Sequence, residues 1–319
     1  KNDTLKLEII LEKEYNIMTM KILNQQIFEN REAAALPGLM ESGGLPALVS
    51  GLSGIHRVNL AAALYERLEL PLLIVCPDDS SAESFSRDLE AMTGEKVNTL
   101  YSRDFTFYSS LAASREAEQK RLYVLNALRC GESPLTVATV SALMQRTIPP
   151  QTLIKAAFTV KDGEPCPPEE LERALVRCGY TRCEQVEGAG QFSRRGGIVD
   201  FFSPSYPEPV RIEFWGDDID SMGFFDVKTQ RRTESVEACR ILPAAESLAT
   251  LATGGTEALT EALTAAADKC SRHKSSQQLR ELEQTLRTDI ERLRQNVKLE
   301  YADRYMPFLY DKASGADYI

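Results

Sequence analysis

Apolar and polar positions alternate most cleanly between residues 190 and 232. Residues 197–202 (GIVDFF) form a β-branched and aromatic run, interrupted only by Asp200. The Ser-Pro-Ser-Tyr-Pro stretch at 203–207 predicts a turn, because proline fixes φ and cannot donate to a ladder. In VRIEFW (210–215), Val210, Ile212 and Phe214 fall on one side of a strand, and Arg211, Glu213 and Trp215 on the other. The acidic turn GDDID ends that strand, and SMGFFDV predicts the next. A half-buried antiparallel sheet should carry polar residues on its outer face. Trp215, the single tryptophan of the chain, nevertheless falls in line with Arg211. Aromatic beside arginine is the composition of a protein–protein hot spot. The alternative is that Trp215 packs under a loop, and the residues alone lean slightly that way.

Upstream the periodicity changes. ILNQQIFENREAAAL (22–36) predicts helix, stopped by Gly43-Gly44. LPALVS (45–50) predicts a short strand, and the Ala- and Leu-rich residues after Gly54 a helix. LPLLIVCP (70–77) is a continuous apolar run that fits a strand buried on both faces. DDSSAESFSRDLEAMTG predicts a helix with Ser80 or Ser81 as N-cap and Gly94 as its stop. KVNTLYS, residues 113–131 and PLTVATV (134–140) continue the alternation as strand, helix and buried strand. Such alternation implies a doubly wound, mainly parallel α/β sheet. SALMQR follows, with Ser141 and Gln145 lacking a catalytic partner and Arg146 read as solvated.

Residues 147–150 (Thr-Ile-Pro-Pro) predict a linker. Beyond it, LIKAAFTVKDGEP predicts a strand and PPEELERALVRCGY a helix opened by prolines, with acids in its first turn. From Ala244 the pattern is helical. Leu279, Leu282, Leu286, Ile290, Leu293 and Val297 make one stripe at spacings of three and four, more simply packed on its own domain than kept for a partner helix. The implied organisation is a first α/β domain at 18–150, a small α+β domain at 151–243 and a helical segment at 244–319. Residues 1–17 match none of this and are set apart as a leader or a natural extension.

Candidate chemistry is sparse. Gly51, Gly54, His56 and Arg57 lie in a strand–glycine loop–helix context like that of a P-loop. A working loop needs glycine where His56 stands, lysine where Arg57 stands and a hydroxyl where Val58 stands. Without lysine and hydroxyl the catalytic centre is lost, so this is a degenerate P-loop-type segment, although Arg57 could still touch an anion at a helix N-terminus. The acids Asp200, Glu213, Asp217, Asp218 and Asp220 do not converge, since alternation puts Asp217 and Asp218 on different faces. No metal site and no cofactor are expected.

Composition narrows the classes further. With 319 residues, 43% hydrophobic and 26% charged, the chain is long enough for two or three domains with their own cores. A formal net charge of −10 argues against the whole chain being a duplex-DNA clamp. Seven cysteines include no C-x-x-C pair, and only His56 and His273 could join them on a metal, which excludes a zinc framework and suggests a reducing, cytoplasmic setting. No apolar run approaches the roughly 20 residues of a membrane helix.

The run FSRRGGIVDFFSP…PEPVRIEFWGDDIDSMGFFDVKTQRR resembles the second domain of the UvrB-like module shared by the repair protein UvrB and the transcription-repair coupling factors. The likeness covers roughly 33–319 and is densest at 185–243. It implies a degenerate P-loop-type α/β domain carrying an inserted α+β domain that docks the damage-recognition ATPase UvrA, followed by a helical return segment. Carried over, the UvrA-binding residues are Arg195, Arg211 and Trp215, the last at a position usually held by phenylalanine. UvrB itself keeps an intact Walker motif and a tyrosine-rich hairpin that enters DNA. Tyr101, Phe105, Phe107 and Tyr108 come nearest to that hairpin, yet YSRDFTFYSS resembles a coupling-factor connector more. The resemblance therefore implies a UvrA-recruiting module without ATPase activity in nucleotide excision repair. In the whole proteins of that family, RNA polymerase and double-stranded DNA are further partners, and the ATP-dependent motor lies beyond residue 319. The competing reading is an ATP- and DNA-binding enzyme fragment of the UvrB kind.

Overall fold

The computed structural model describes residues 18–43, 46–103, 115–272, 276–299 and 301–319. The segment 1–17, Phe105, Phe107, Tyr108 and His273 lie outside the described residues. The chain divides into two compact units: residues 1–102 with 130–143, and residues 103–129 with 144–319.

The first unit is a parallel α/β layer. Residues 18–25 are helical, and helix α1 (Arg31–Glu41) is capped by Asn30, whose side chain accepts from the N–H groups of Glu32 and Ala33. Helices α2 (Gly54–Leu68) and α3 (Asp79–Thr93) alternate with strands β1 (Leu72–Cys76), β2 (Asn98–Leu100) and β3 (Leu135–Thr139). The strands pair in parallel in the order β1-β3-β2. Val58, Ala61 and Ala62 of α2 and Ala82 and Leu89 of α3 meet Cys76, Leu135 and Val137 in one core.

Four expectations change here. Residues 46–50 form no strand, and Leu48 is 94% exposed, so the apolar run ahead of Gly51 has no sheet to join. β1, expected to be buried on both faces, is an edge strand and only half buried, whereas the central β3 is buried throughout. The N-cap of α3 is Asp78, whose carboxylate accepts from Ser81 N–H; a serine one residue inside the helix cannot cap it. Arg146 is half buried and joins a β-bridge to Ser314 instead of standing in solvent.

The second unit holds three substructures. A six-stranded sheet has the order β10-β9-β8-β7-β6-β5, from strands β5 (Thr181–Arg182), β6 (Gln191–Arg195), β7 (Ile198–Phe201), β8 (Val210–Trp215), β9 (Asp218–Phe225) and β10 (Arg232–Ser235). All its pairings are antiparallel except β5 with β6. A two-stranded ribbon pairs β4 (Phe158–Lys161) with β11 (Ala238–Ile241). Helix α4 (Arg115–Cys130) precedes these, α5 (Pro150–Ala156) and α6 (Pro168–Arg177) open on prolines, and α7 (Gly255–Arg272) and α8 (Gln277–Arg294) pack on one another. The stripe on α8 buries Leu286, Ile290 and Leu293 in this way, while Val297 beyond the helix is 47% exposed. Residues 153–156, expected to begin a strand, are thus helical, because Pro150 supplies the fixed φ of a first helical turn; the strand starts at Phe158.

The expected linker is not solvated either. Thr147 and Ile148 are buried, and the Thr147 hydroxyl donates to the fully buried Glu246. Glu246 also accepts from Arg121 Nε at 2.8 Å and lies 3.8 Å from Arg103. Glu118 receives the Glu246 backbone N–H. This buried ionic cluster ties α4, the 144–148 segment and the residues after β11 into one unit. All seven cysteines are free, and burial pushes the Cys178 thiol up to about 11 and Cys239 up to about 12, which leaves both inert at neutral pH.

Candidate partner-docking face

The six-stranded sheet has one apolar and one charged face. Phe192, Val199, Phe201, Val210, Ile212 and Met222 turn inward and form the main core of the unit with Leu171 and Leu175 of α6. Arg194 shares this parity, and its guanidinium ends on Glu169 and Glu172 of α6. The neighbouring Arg195 takes the opposite parity and lies on the outer face, with its side chain 55% exposed. Parity therefore separates two adjacent arginines into a core-side brace and a surface group.

The turn between β6 and β7 makes this possible. Arg195 pairs with Ile198 across a two-residue loop, with Gly196 at φ 61°. A Cβ on Gly197 would stand 3.0 Å from the Phe214 carbonyl oxygen, which belongs to the next strand. The RGG segment thus brings β8 against the hairpin and fixes the register that aligns Ser193, Asp200, Arg211 and Gly223 in one transverse row.

Within that row Asp200 is 1% exposed and faces Arg211 directly. Arg211 donates to both its oxygens, from Nε at 2.7 Å and from Nη2 at 2.9 Å. Arg195 Nη2 donates to the same carboxylate at 3.0 Å. Arg211 also donates to the backbone and side-chain oxygens of Gln230, and its guanidinium lies 4.5 Å above the Phe225 ring. Four of the five guanidinium N–H groups are thereby taken. Hydrogen bonding to Asp200, opposed by burial, holds the Arg211 pKa above its already high range. On the next row Arg232 reaches Ser221 and Glu213. Three guanidiniums thus share this face with the carboxylates of Asp200, Glu213 and Asp218, the last directly opposite Trp215.

Trp215 ends β8 at 83% exposure. It does not pack under a loop, so the second of the two readings of this residue is corrected: it is the last residue of β8, next to the Gly216–Asp217 turn, and stands in solvent. The structure thus brings Arg195 and Arg211 together on Asp200 and puts Trp215 on the same strand as Arg211. Asp200, Phe225 and Gln230 were not marked as site residues from sequence. The signal for Asp200 was visible, as the one acid inside an apolar strand.

The comparisons with known proteins point to this same segment. A family model described as the UvrB interaction domain matches residues 158–246. Over these residues the chain is similar to a UvrB interaction domain. It is also 31% identical over 274 residues to the transcription-repair-coupling factor of Bacillus subtilis, covering 85% of this chain and 23% of that protein. The factor of Myxococcus xanthus is 34% identical over 208 residues, 63% of this chain and 17% of that protein. That of Escherichia coli is 30% identical over 203 residues, 64% and 18%. The resemblance drawn from the residues is borne out, and the chain spans about a quarter or less of the length of these relatives. The UvrB interaction domain matched at 158–246 contains every strand from β4 to β11 and thus the whole charged face.

The glycine loop is a separate feature of the first unit. His56 Nδ1 lies 2.7 Å from the Ser53 hydroxyl, and Arg57 Nε donates to Leu52 O at 3.2 Å. Gly51 has φ 83°, Gly54 begins α2, and Val58 is buried in the core. Among the described residues no group of three His, Cys, Asp or Glu side chains could hold a metal ion, and no helix is long and apolar enough to cross a membrane.

Proposed function

We propose that this chain is a UvrA-docking module of a transcription-repair coupling factor in nucleotide excision repair, with the outer face of the six-stranded sheet as its docking surface. The observation that carries this is an exposed Trp215 on the strand of Arg211, within a domain of the UvrB interaction family. An exposed tryptophan beside guanidiniums is the side-chain set most enriched in binding hot spots. Arg195 offers planar, charge-assisted pairing to a partner carboxylate. Arg211, with most of its donors used on Asp200 and Gln230, contributes positive charge and a fixed surface more than a free fork. The partner surface is accordingly acidic with an apolar slot.

The same proposal includes that residues 51–58 are a vestigial P-loop and that the chain hydrolyses no ATP. Val58 in place of a hydroxyl and Arg57 turned back on Leu52 support it. RNA polymerase and duplex DNA are partners of the longer protein, in the cytoplasm. Binding of the purified chain to purified UvrA, with Arg195→Glu, Arg211→Glu and Trp215→Ala in parallel, tests the proposal. We expect ATP-independent binding that each substitution weakens at least about tenfold. Binding unaffected by all three would move the surface elsewhere. ATP turnover by the chain would favour the UvrB-like enzyme instead.

A further inference from the structure

Strand β4 pairs with β11 on one side only. Asp162 N–H donates to Glu237 O, so the pairs 162/237, 160/239 and 158/241 are the hydrogen-bonded ones. The N–H of Arg240 accordingly points away from β4, and it meets the Tyr206 hydroxyl. By the same alternation Thr159 and Lys161 direct their backbone groups away from β11. Of these, only Lys161 O has a partner among the described residues, the N–H of Glu164. An edge with free donors and acceptors is a template for another strand.

That edge faces a groove of about 640 Å³ whose other wall is helix α6. Its floor is apolar: Phe158, Val160, Leu171 and Ala174 line it, and Val160 and Leu171 belong to the core. Its rim is cationic. Lys161, Arg173 and Arg177 all line it. Glu164 and Glu170 are also there, in exposed ion pairs with Lys161 at 3.5 Å and Arg173 at 3.9 Å. Exposed pairs of this kind hold weakly. Arg177 is exposed with no ion-pair partner among the described residues, in a chain whose net charge is −10.

We propose that this groove binds an extended acidic peptide of a partner protein, which adds to β4 as a third strand of the ribbon. The helix-and-edge geometry is that of strand addition: backbone bonds to Thr159 and Lys161 supply affinity, and alternate side chains supply selectivity. Alternation sends one parity of the peptide toward α6 and the other to the Lys161 face of the ribbon. Carboxylates of the parity that faces α6 meet Arg177 and, by displacing Glu170, Arg173, while the edge of β4 supplies the backbone bonds. This surface lies on a different sheet from the Arg195–Trp215 face and does not depend on the docking proposed there.

The test uses the 319-residue chain and a fluorescein-labelled probe of about nine residues alternating valine and glutamate, a normal strand length. Anisotropy should show binding that Arg177→Glu weakens about tenfold, an exposed change that leaves the fold intact. N-methylating one alternate set of probe amides should abolish binding, while methylating the other set should not. Thr159→Pro removes an edge N–H and should match the methylated probe; loss of its circular-dichroism signal would leave Arg177→Glu and the methylation pair to decide. In hydrogen exchange the Thr159 amide should become protected on binding. No binding, binding indifferent to Arg177→Glu, or equal loss from both methylation sets would each overturn the proposal.

Discussion

Asp200 and Arg211 stand directly opposite on adjacent antiparallel strands, and the guanidinium closes on both carboxylate oxygens at 2.7 and 2.9 Å. The carboxylate is almost wholly buried, and Arg195 reaches it from the surface side. One buried anion thus sets the position of two of the three arginines of the face. Asp200→Ala should cost about 3 kcal/mol, because it leaves Arg211 with an uncompensated, largely buried charge. Asp200→Asn, which keeps an acceptor, should cost less. Urea unfolding of the two variants checks the order, and equal losses would mean that volume matters here and charge does not.

Trp215 separates binding from stability. At 83% exposure it contributes little to the core, so Trp215→Ala should change unfolding free energy by no more than about 0.5 kcal/mol. Arg211→Ala should lower stability and UvrA binding together, since it also strands Asp200. Chemical denaturation and UvrA binding measured on the same two proteins distinguish these outcomes. A Trp215→Ala protein that unfolds markedly earlier would make the indole structural.

Gly223 lies in the same transverse row as Arg211, and what it lacks matters. A Cβ there would come within 2.5 Å of the Glu234 carbonyl oxygen and 3.0 Å of Arg232 Nε. Backbone cannot yield as a side-chain tip does, so Gly223→Ala should push β10 outward at a cost of about 1–3 kcal/mol. Amide exchange in 232–235 should quicken while that of β7 stays slow. Unchanged exchange in β10 would mean the edge strand adjusts freely.

The pattern VRIEFW was enough to place Arg211 and Trp215 on one side and Val210 and Ile212 on the other, because strand parity is local. The parallel order of the first unit was legible for a similar reason, from apolar runs separated by helices. What escaped depended on distant pairing. Leu48 and Val49 have β propensity, yet no neighbouring strand receives them. The Asp200–Arg211 contact requires the β7–β8 register, set across residues 202–209 and by the close approach of Gly197 to Phe214, which periodicity does not encode. The prolines after Thr147 predict a linker; only Glu246, a hundred residues on, makes Thr147 interior.

Glu246 and Glu118 share one buried cluster but titrate in opposite directions. Burial raises both, yet for Glu246 it is outweighed by Arg103, Arg121 and the Thr147 hydroxyl, which together lower its pKa. For Glu118 burial and the Glu246 charge prevail over Arg103, and the pKa rises. A lowered folded pKa gives stability that is complete above the unfolded value of about 4.3 and is lost as pH falls through the folded value. A raised one works the other way: the folded state holds the extra proton, so stability declines as pH climbs from about 4.3 through the folded value. Glu246→Gln should therefore cost about 3–5 kcal/mol at neutral pH, since Arg121 loses its buried counter-charge, and should flatten the acid limb of the stability profile. Glu118→Gln keeps an acceptor for the Glu246 N–H and removes the repulsion, so it should be near neutral or stabilising at pH 7 and flatten the upper limb. Denaturant melts of the two variants between pH 3 and 8 read this out directly. A Glu118→Gln protein as damaged as Glu246→Gln would show that the cluster needs both charges.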